Sequence, residues 1–237
     1  MNTMTTPSES GPIQPFLRIP AGTHFGFRSG MIGRQQSRCL VETKIETFTG
    51  PGLHLLIAPN GAGKSTLLRT LAGLTPALSG NIERNGRVDY FSDDLRVGAE
   101  LKPGTLFRSW LRGAALAKAH EFAELLKLDV RIPFGRLSRG NKQKMMLILA
   151  EVKIRYSGGP SLLLMDEPLS GLDIETRKIV AELWASSDTT AVRWVILHEL
   201  ESIQHADSLL TIHQGDLKQA PNRIGRTWSE TYQTLQQ

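Results

Sequence analysis

One cysteine in 237 residues excludes an internal disulfide, and Cys39 lies in no cluster spaced for a metal. A chain built this way reads as cytosolic. No run of 18 or more apolar residues is present, so no segment is suited to span a membrane. The start lacks a basic region followed by an apolar core. Met1 to Pro15 is rich in Ser, Thr and Pro and reads as a flexible leader, not a secretion signal. Charge of neither sign dominates: 28 Lys and Arg stand against 23 Asp and Glu, a net +5. There is no block of Lys and Arg and no interleaving of basic with aromatic residues, so nucleic acid is not expected as a partner. The mild basicity suits nucleotide phosphates or an anionic bilayer. No internal repeat and no low-complexity tract is found beyond the leader. The length fits one large or two small domains.

Against these absences one run carries the most information: Ala58-Pro59-Asn60-Gly61-Ala62-Gly63-Lys64-Ser65-Thr66. Leu53, Leu55, Leu56 and Ile57 lead into it, and Leu67 and Leu68 follow. That order is a buried strand, a glycine-rich turn and a helix start. Such a turn aims backbone N–H groups and a helix N-terminus at a phosphate chain. Lys64 can reach the β- and γ-phosphates, and the Ser65 hydroxyl can hold Mg²⁺. Ala58 stands where the general pattern has its first glycine, which the loop tolerates if that position does not need φ > 0.

The surrounding pattern alternates strand and helix. His24–Arg28 and Ser37–Phe48 read as a small antiparallel unit, with Phe25 and Phe27 on one face of the first strand. The helix after the phosphate loop is expected over Lys64–Leu71, ending near Gly73 and Pro76. Gly80–Phe91 reads as short strands with a turn at Asn85-Gly86. Leu106–Leu128 has helical spacing, and a helix over Leu137–Tyr156 opens at Ser138. Ser161–Met165, Val192–Leu197 and Ser208–His213 read as strands, Ile174–Trp184 as a helix, and the tail beyond Leu217 is polar and uninformative. The pattern predicts an α/β fold with a mostly parallel core sheet, an antiparallel β-subdomain and a small helical subdomain at about 104–157. Residues 16–237 form a single domain in this reading.

A bound nucleotide needs Mg²⁺, and Mg²⁺ needs carboxylate. The strand Leu162–Met165 delivers Asp166 to its C-terminal end, where ligands of parallel sheets bind. Glu167 follows and suits a group that accepts a proton from, or orients, an attacking water. Ser138 is a good helix cap, and Gly140 allows close approach at a second helix start. One chain thus holds two anion-binding devices, and the second is explained if it serves a nucleotide held by a partner subunit. Ser170-Gly171-Leu172-Asp173 forms a turn in which Asp173 caps the next helix and contacts the partner. His198 ends a core strand on the same rim as Asp166, where it can hydrogen-bond a γ-phosphate.

These motifs together resemble the nucleotide-binding subunit of ATP-binding cassette (ABC) transporters, over roughly Phe48–Leu217. Ala58–Thr66 resembles the family's Walker A loop, Leu137–Gln143 its signature loop, and Leu162–Pro168 its Walker B strand with catalytic glutamate. Ser170–Asp173 matches the D-loop and His198 the switch histidine, all in the family's order. The resemblance implies a P-loop ATPase that works with ATP and Mg²⁺. It implies catalytic roles for Glu167 and His198, with nucleotide contacts from Asn60, Gly61, Ala62, Gly63, Lys64, Ser65 and Thr66. It also implies two copies packed head to tail, with Ser138, Gly140 and Asp173 of one copy facing the other's nucleotide. Closure on ATP would then drive a separate multi-span membrane permease, placing the chain on the inner face of the cell membrane.

Two departures stand out. Arg139 replaces a common glycine, and the glutamine that couples Mg²⁺ to the permease is missing. Asp93, within Tyr90–Asp94, is its expected stand-in at the metal. Phe25, Phe27 and Phe48 are the candidates for stacking on adenine, each better explained as core. Trp110 reads as packing within the helical subdomain, with docking on a permease helix as the other role. The small helical insert and short length resemble stand-alone subunits of small exporters, and the Lys142-Gln143 pair resembles exporter-type members, so export is expected. The alternatives are a soluble ABC-type ATPase of DNA repair or translation and a catalytically silent cassette. Lys64 and Ser138 are too close for the long coiled coil common in the former, and the retained Lys64, Asp166, Glu167 and His198 oppose the latter.

Overall fold

The computed structural model describes residues 14–29, 36–92, 97–156, 158–186, 191–198, 203, 205–223 and 225–237. Its centre is an eight-stranded sheet. The strands are β2 (Thr23–Ser29), β3 (Gln36–Thr43), β5 (Gly52–Ile57), β7 (Arg87–Phe91), β8 (Ser161–Asp166), β9 (Val192–Ile196), β10 (Ser208–His213) and β11 (Asp216–Pro221). They lie in the order β2-β3-β11-β10-β5-β9-β8-β7. The run from β10 to β7 is parallel throughout, while β10–β11 and β2–β3 pair antiparallel. A second sheet, β4-β1-β6, joins β1 (Phe16–Ile19), β4 (Thr47–Thr49) and β6 (Glu83–Asn85).

Side chains alternate across the central sheet, and each face has its own core. Leu55, Leu163, Val195 and Leu209 face a layer that includes α2 (Pro103–Trp110), α3 (Gly113–Leu125), α4 (Arg139–Arg155) and α5 (Ile174–Ala185). Leu56, Leu162, Leu164, Trp194 and Leu210 face α1 (Lys64–Leu71) and the small sheet. Both faces being covered is why these strands read as unbroken apolar runs. Each fully buried Leu, Ile or Val contributes about 1.5–3 kcal/mol. The register sets Leu56, Ile196 and Asp166 in one row across β5, β9 and β8. The C-terminal ends of these strands therefore share one edge, and the turn after Ile57 lies beside Asp166.

Arg193 is the exception inside this core. It lies on β9, nearly fully buried, 3.3 Å from Glu151 of α4. The pair pins the helix to the strand that leads to His198. Removing one member of such a buried pair typically costs about 3–5 kcal/mol.

The turn at Asn85-Gly86 separates two short strands, and it carries the chain between sheets: β6 pairs with β1 and β7 with β8. Several expectations need correction. Ser37–Phe48 is two strands, β3 and β4, placed in different sheets. Leu106–Leu128 is split at Leu111-Arg112 into α2 and α3. Phe25 is fully buried but Phe27 is 44% exposed, because β2 outruns the core; there the Arg38 guanidinium lies 6.0 Å from its ring. Phe48 is also exposed and stacks on Phe16. Trp110 is 54% exposed at the end of α2 and does not pack inside the helical layer. The polar tail contains α6 (Trp228–Leu235), opened by a Thr227/Glu230 capping box. That Thr-x-x-Glu spacing is the signal that could have located it.

Candidate functional site

Between β5 and α1 the chain turns sharply. Gly61 and Gly63 take φ of 80° and 98°. A Cβ on Gly63 would come within 3.0 Å of both Leu40 Cβ and Val41 Cγ2. The Ala62 amide donates to the Pro59 carbonyl at 3.2 Å and tightens the turn. No side chain caps α1, whose first residue is Lys64. The positive end of the helix dipole and its first amides are thus left to face the cleft above.

That cleft is walled by Asn60, Gly61, Gly63, Lys64, Ser65 and Thr66 on one side and by Glu167 and His198 on the other, with Leu40 at its margin. Lys64 is buried, and its Nζ donates to the carbonyls of Ala58 at 2.7 Å and Pro59 at 3.1 Å. Burial lowers the Lys64 ammonium from its ordinary value, against the pull of Glu167 and Asp166. Asp166 shows the mirror image. Burial raises its carboxyl above the usual range, and a hydrogen bond from the Ser65 hydroxyl opposes the rise. The Tyr90 hydroxyl also donates to Asp166 Oδ2, at 3.4 Å.

Glu167 takes φ of 51°, in the left-handed region. Such a conformation costs a non-glycine residue about 1–3 kcal/mol and persists only where its surroundings impose it. Its Oε1 lies 2.7 Å from His198 Nε2. Its carbonyl accepts from Ser170 N at 3.0 Å and from Gln143 Nε2 at 3.2 Å.

The second helix start is built differently. Ser138 caps α4, its Oγ accepting from Asn141 N at 3.2 Å. A Cβ on Gly140 would lie 2.7 Å from the Gly171 carbonyl, so the glycine is required by the chain's own D-loop-like turn. Asp173 caps α5, accepting from Thr176 N at 2.8 Å and Thr176 Oγ1 at 2.9 Å. The backbone bond from Thr176 holds its carboxyl below the usual range.

The cleft brings together Asn60, Gly61, Gly63, Lys64, Ser65, Thr66, Glu167 and His198. Ala62 belongs to the same loop without lining the cleft, and Asp166 stands behind it, joined through the Ser65 hydroxyl. Ser138, Gly140 and Asp173 lie on α4 and at the start of α5, outside the residues that line it. Asp93, proposed for the metal, and Glu199 lie outside the described residues. Sequence reasoning assigned no role to Gln143 or Tyr90. Both stand inside motif segments, and only side-chain direction singles them out.

The residues fit a magnesium nucleotide. A buried ammonium and a half-buried carboxyl, each shifted against its charge, gain from an anion and a cation respectively. Among the described residues no three His, Cys, Asp or Glu gather into a metal cage. Mg²⁺ suits what is present, because it binds through one or two carboxylates and substrate phosphates and keeps several waters.

Fold and site together define a P-loop nucleoside triphosphatase. Residues 50–170 match the family model described as ABC transporter. The hemin import ATP-binding protein HmuV of Photobacterium damselae is 30% identical over 73% of this chain and 74% of its own length. The aliphatic sulfonates import ATP-binding protein SsuB of Albidiferax ferrireducens is 33% identical over 70% of this chain and 63% of its own. A solved ATP-binding subunit of an ABC transporter superposes with a TM-score of 0.69 at 21% identity, covering 94% of this chain and 100% of that one. The chain belongs to the ABC transporter family, as an ATP-binding domain of its α/β P-loop fold, and it is an ATPase.

Proposed function

We propose that the chain is the motor subunit of a transporter, hydrolysing ATP to move a separate multi-span permease. The observation that carries this is the meeting of the phosphate loop, Glu167 and His198 on one cleft, with Asp166 joined to it through the Ser65 hydroxyl. Asn60–Thr66 wrap the phosphates, with Lys64 turning from its own loop carbonyls to the phosphate oxygens. Ser65 and Asp166 would hold Mg²⁺, which would neutralise charge on the transferring phosphoryl group. His198 occupies Oε1 of Glu167, so the second carboxylate oxygen is the one placed to take a proton from water.

The helices between β7 and β8 serve as the helical subdomain of a single domain running from 16 to 237. Ser138, Gly140 and Asp173 act across a head-to-tail homodimer, on the nucleotide of the second copy. No helix among the described residues is long and apolar enough to cross a membrane, which fits a permease made by another chain. The permease holds the subunit at the cytoplasmic face of the membrane. The expected direction, export, draws on the small helical insert and the short length. The two named sequence relatives carry import names, and the likeness to a bacterial Atm1-family exporter, at 19% identity, speaks only to fold.

Glu167→Gln tests the site. It should leave ATP affinity unchanged and lower ATP hydrolysis by about 10²–10⁴-fold, the usual worth of a positioned general base. It should also run as a dimer with ATP by light scattering. Normal hydrolysis by this variant overturns the assignment of Glu167, and a persistent monomer overturns the dimer. Retention of a membrane protein through detergent purification, with ATPase stimulated by it, tests the permease.

A further inference from the structure

We propose that Gln143 is a positioning residue for ATP hydrolysis, acting through the backbone of Glu167. The inference rests on the reading of Glu167 given above. Glu167 is held in the left-handed region at φ 51°, directly before Pro168. A residue before proline favours extended backbone, so this conformation needs support from outside the loop. Two donors supply it at one carbonyl. Ser170 N, at 3.0 Å, closes the turn locally. Gln143 Nε2, at 3.2 Å, is the long-range donor, and it comes from α4.

Gln143 is only 6% exposed, so its carboxamide does not trade this bond freely for water. It lines a small cavity together with Met146, Met165, Asp166 and Pro168. The same helix begins at Ser138, and its Glu151 is pinned to Arg193 of β9, the strand leading to His198. One rigid element therefore sets the backbone of Glu167 and is fastened to the strand that carries its hydrogen-bonding partner. Without the Gln143 donor, the Ser170 bond still closes the turn, but the carboxylate loses its fixed aim. Loss of aim by about 1 Å is enough to cost up to 10²-fold in rate.

The test uses the full chain with Gln143→Met, which keeps the volume and removes the donor, and Gln143→Leu, which removes the donor with a different apolar shape. Steady-state ATPase, binding of a fluorescent ATP analogue and thermal unfolding are measured for each. The expected result is a fall in kcat of about tenfold or more, with KM and nucleotide Kd within about twofold, since neither variant touches the phosphate loop. In a Glu167→Gln background, Gln143→Met should cause no further loss. Full kcat in either folded variant overturns the proposal, as does an additive loss in the double variant. Failure of both variants to fold, with nucleotide binding gone, overturns it in favour of a packing role. Normal hydrolysis by Glu167→Gln alone removes the underlying reading instead. An inactive Glu167→Gln beside a fully active Gln143→Met removes only the positioning role.

Discussion

Two helix starts in this molecule are candidates to meet phosphate, and they are built in opposite ways. The start of α1 follows a left-handed glycine and has no side-chain cap. The start of α4 follows Ser138, whose hydroxyl already accepts from Asn141 N. Neither has an acidic residue in its first turn, so neither neutralises its own dipole. The difference is in what lies beside them. Around α1 the chain gathers Lys64, Ser65, Glu167 and His198, with Asp166 bonded to the Ser65 hydroxyl, a site with its own chemistry. Around α4 it gathers Gly140 against the Gly171 carbonyl, a packing contact. One start opens onto a cleft lined by charged side chains, whereas the other is capped by its own serine and packed on its own turn.

The largest effect should come from emptying the first start. Lys64→Ala removes the buried ammonium and with it a charge-assisted contact to phosphate, and should weaken nucleotide binding by about 10²-fold or more, read by fluorescent-nucleotide titration. Retained affinity would erase the distinction between the two starts. At the second start, Gly140→Ala places a methyl 2.7 Å from the Gly171 carbonyl, which cannot yield as a side-chain tip can. It should lower kcat by about tenfold through displaced geometry, with nucleotide affinity of the isolated chain unchanged. A matching loss of affinity would mean that α4 belongs to the same nucleotide's site.

Ser138→Ala removes one cap. It should destabilise by about 1 kcal/mol and lower Tm by roughly 2–4 °C for a chain of this size. The smallest effect is reserved for a third helix start, α5, capped by a charged group. Asp173→Asn keeps the cap and loses only the charge. The Asp173 carboxyl is depressed in the folded chain, so its contribution is present above its unfolded value near 3.8 and fades as pH falls through the folded one. The small Tm gap between wild type and Asp173→Asn should therefore close below about pH 4. A gap that widens in acid would show that Asp173 is not the group being titrated.

Much of this was legible along the chain because it depends on neighbours in sequence. The phosphate loop needs small residues at fixed offsets, and α1 begins and ends where Lys64 and Leu71 place it. Ser138 and Asp173 were readable as caps because a cap acts within three residues. The strand carrying Asp166 was plain from an apolar run that both faces of the sheet require. Phe25 and Phe27 look alike in sequence, yet one is buried and the other exposed. Alternation tells which side of a strand a ring takes, but not how far the core extends beneath it.

Local order thus specified the alternation of strand and helix, the phosphate turn, the acid pair after β8 and the caps, since each rests on spacing that a short segment enforces unaided. The folded arrangement settled the rest. It moved β6 and β7 into different sheets across one turn, set Glu167 against His198, brought the Gln143 carboxamide to a carbonyl beyond its own helix, and made Gly140 a matter of clearance from Gly171. These are contacts between residues far apart in the chain. Their geometry is fixed by how layers pack, and no periodicity within one segment encodes the distance to another.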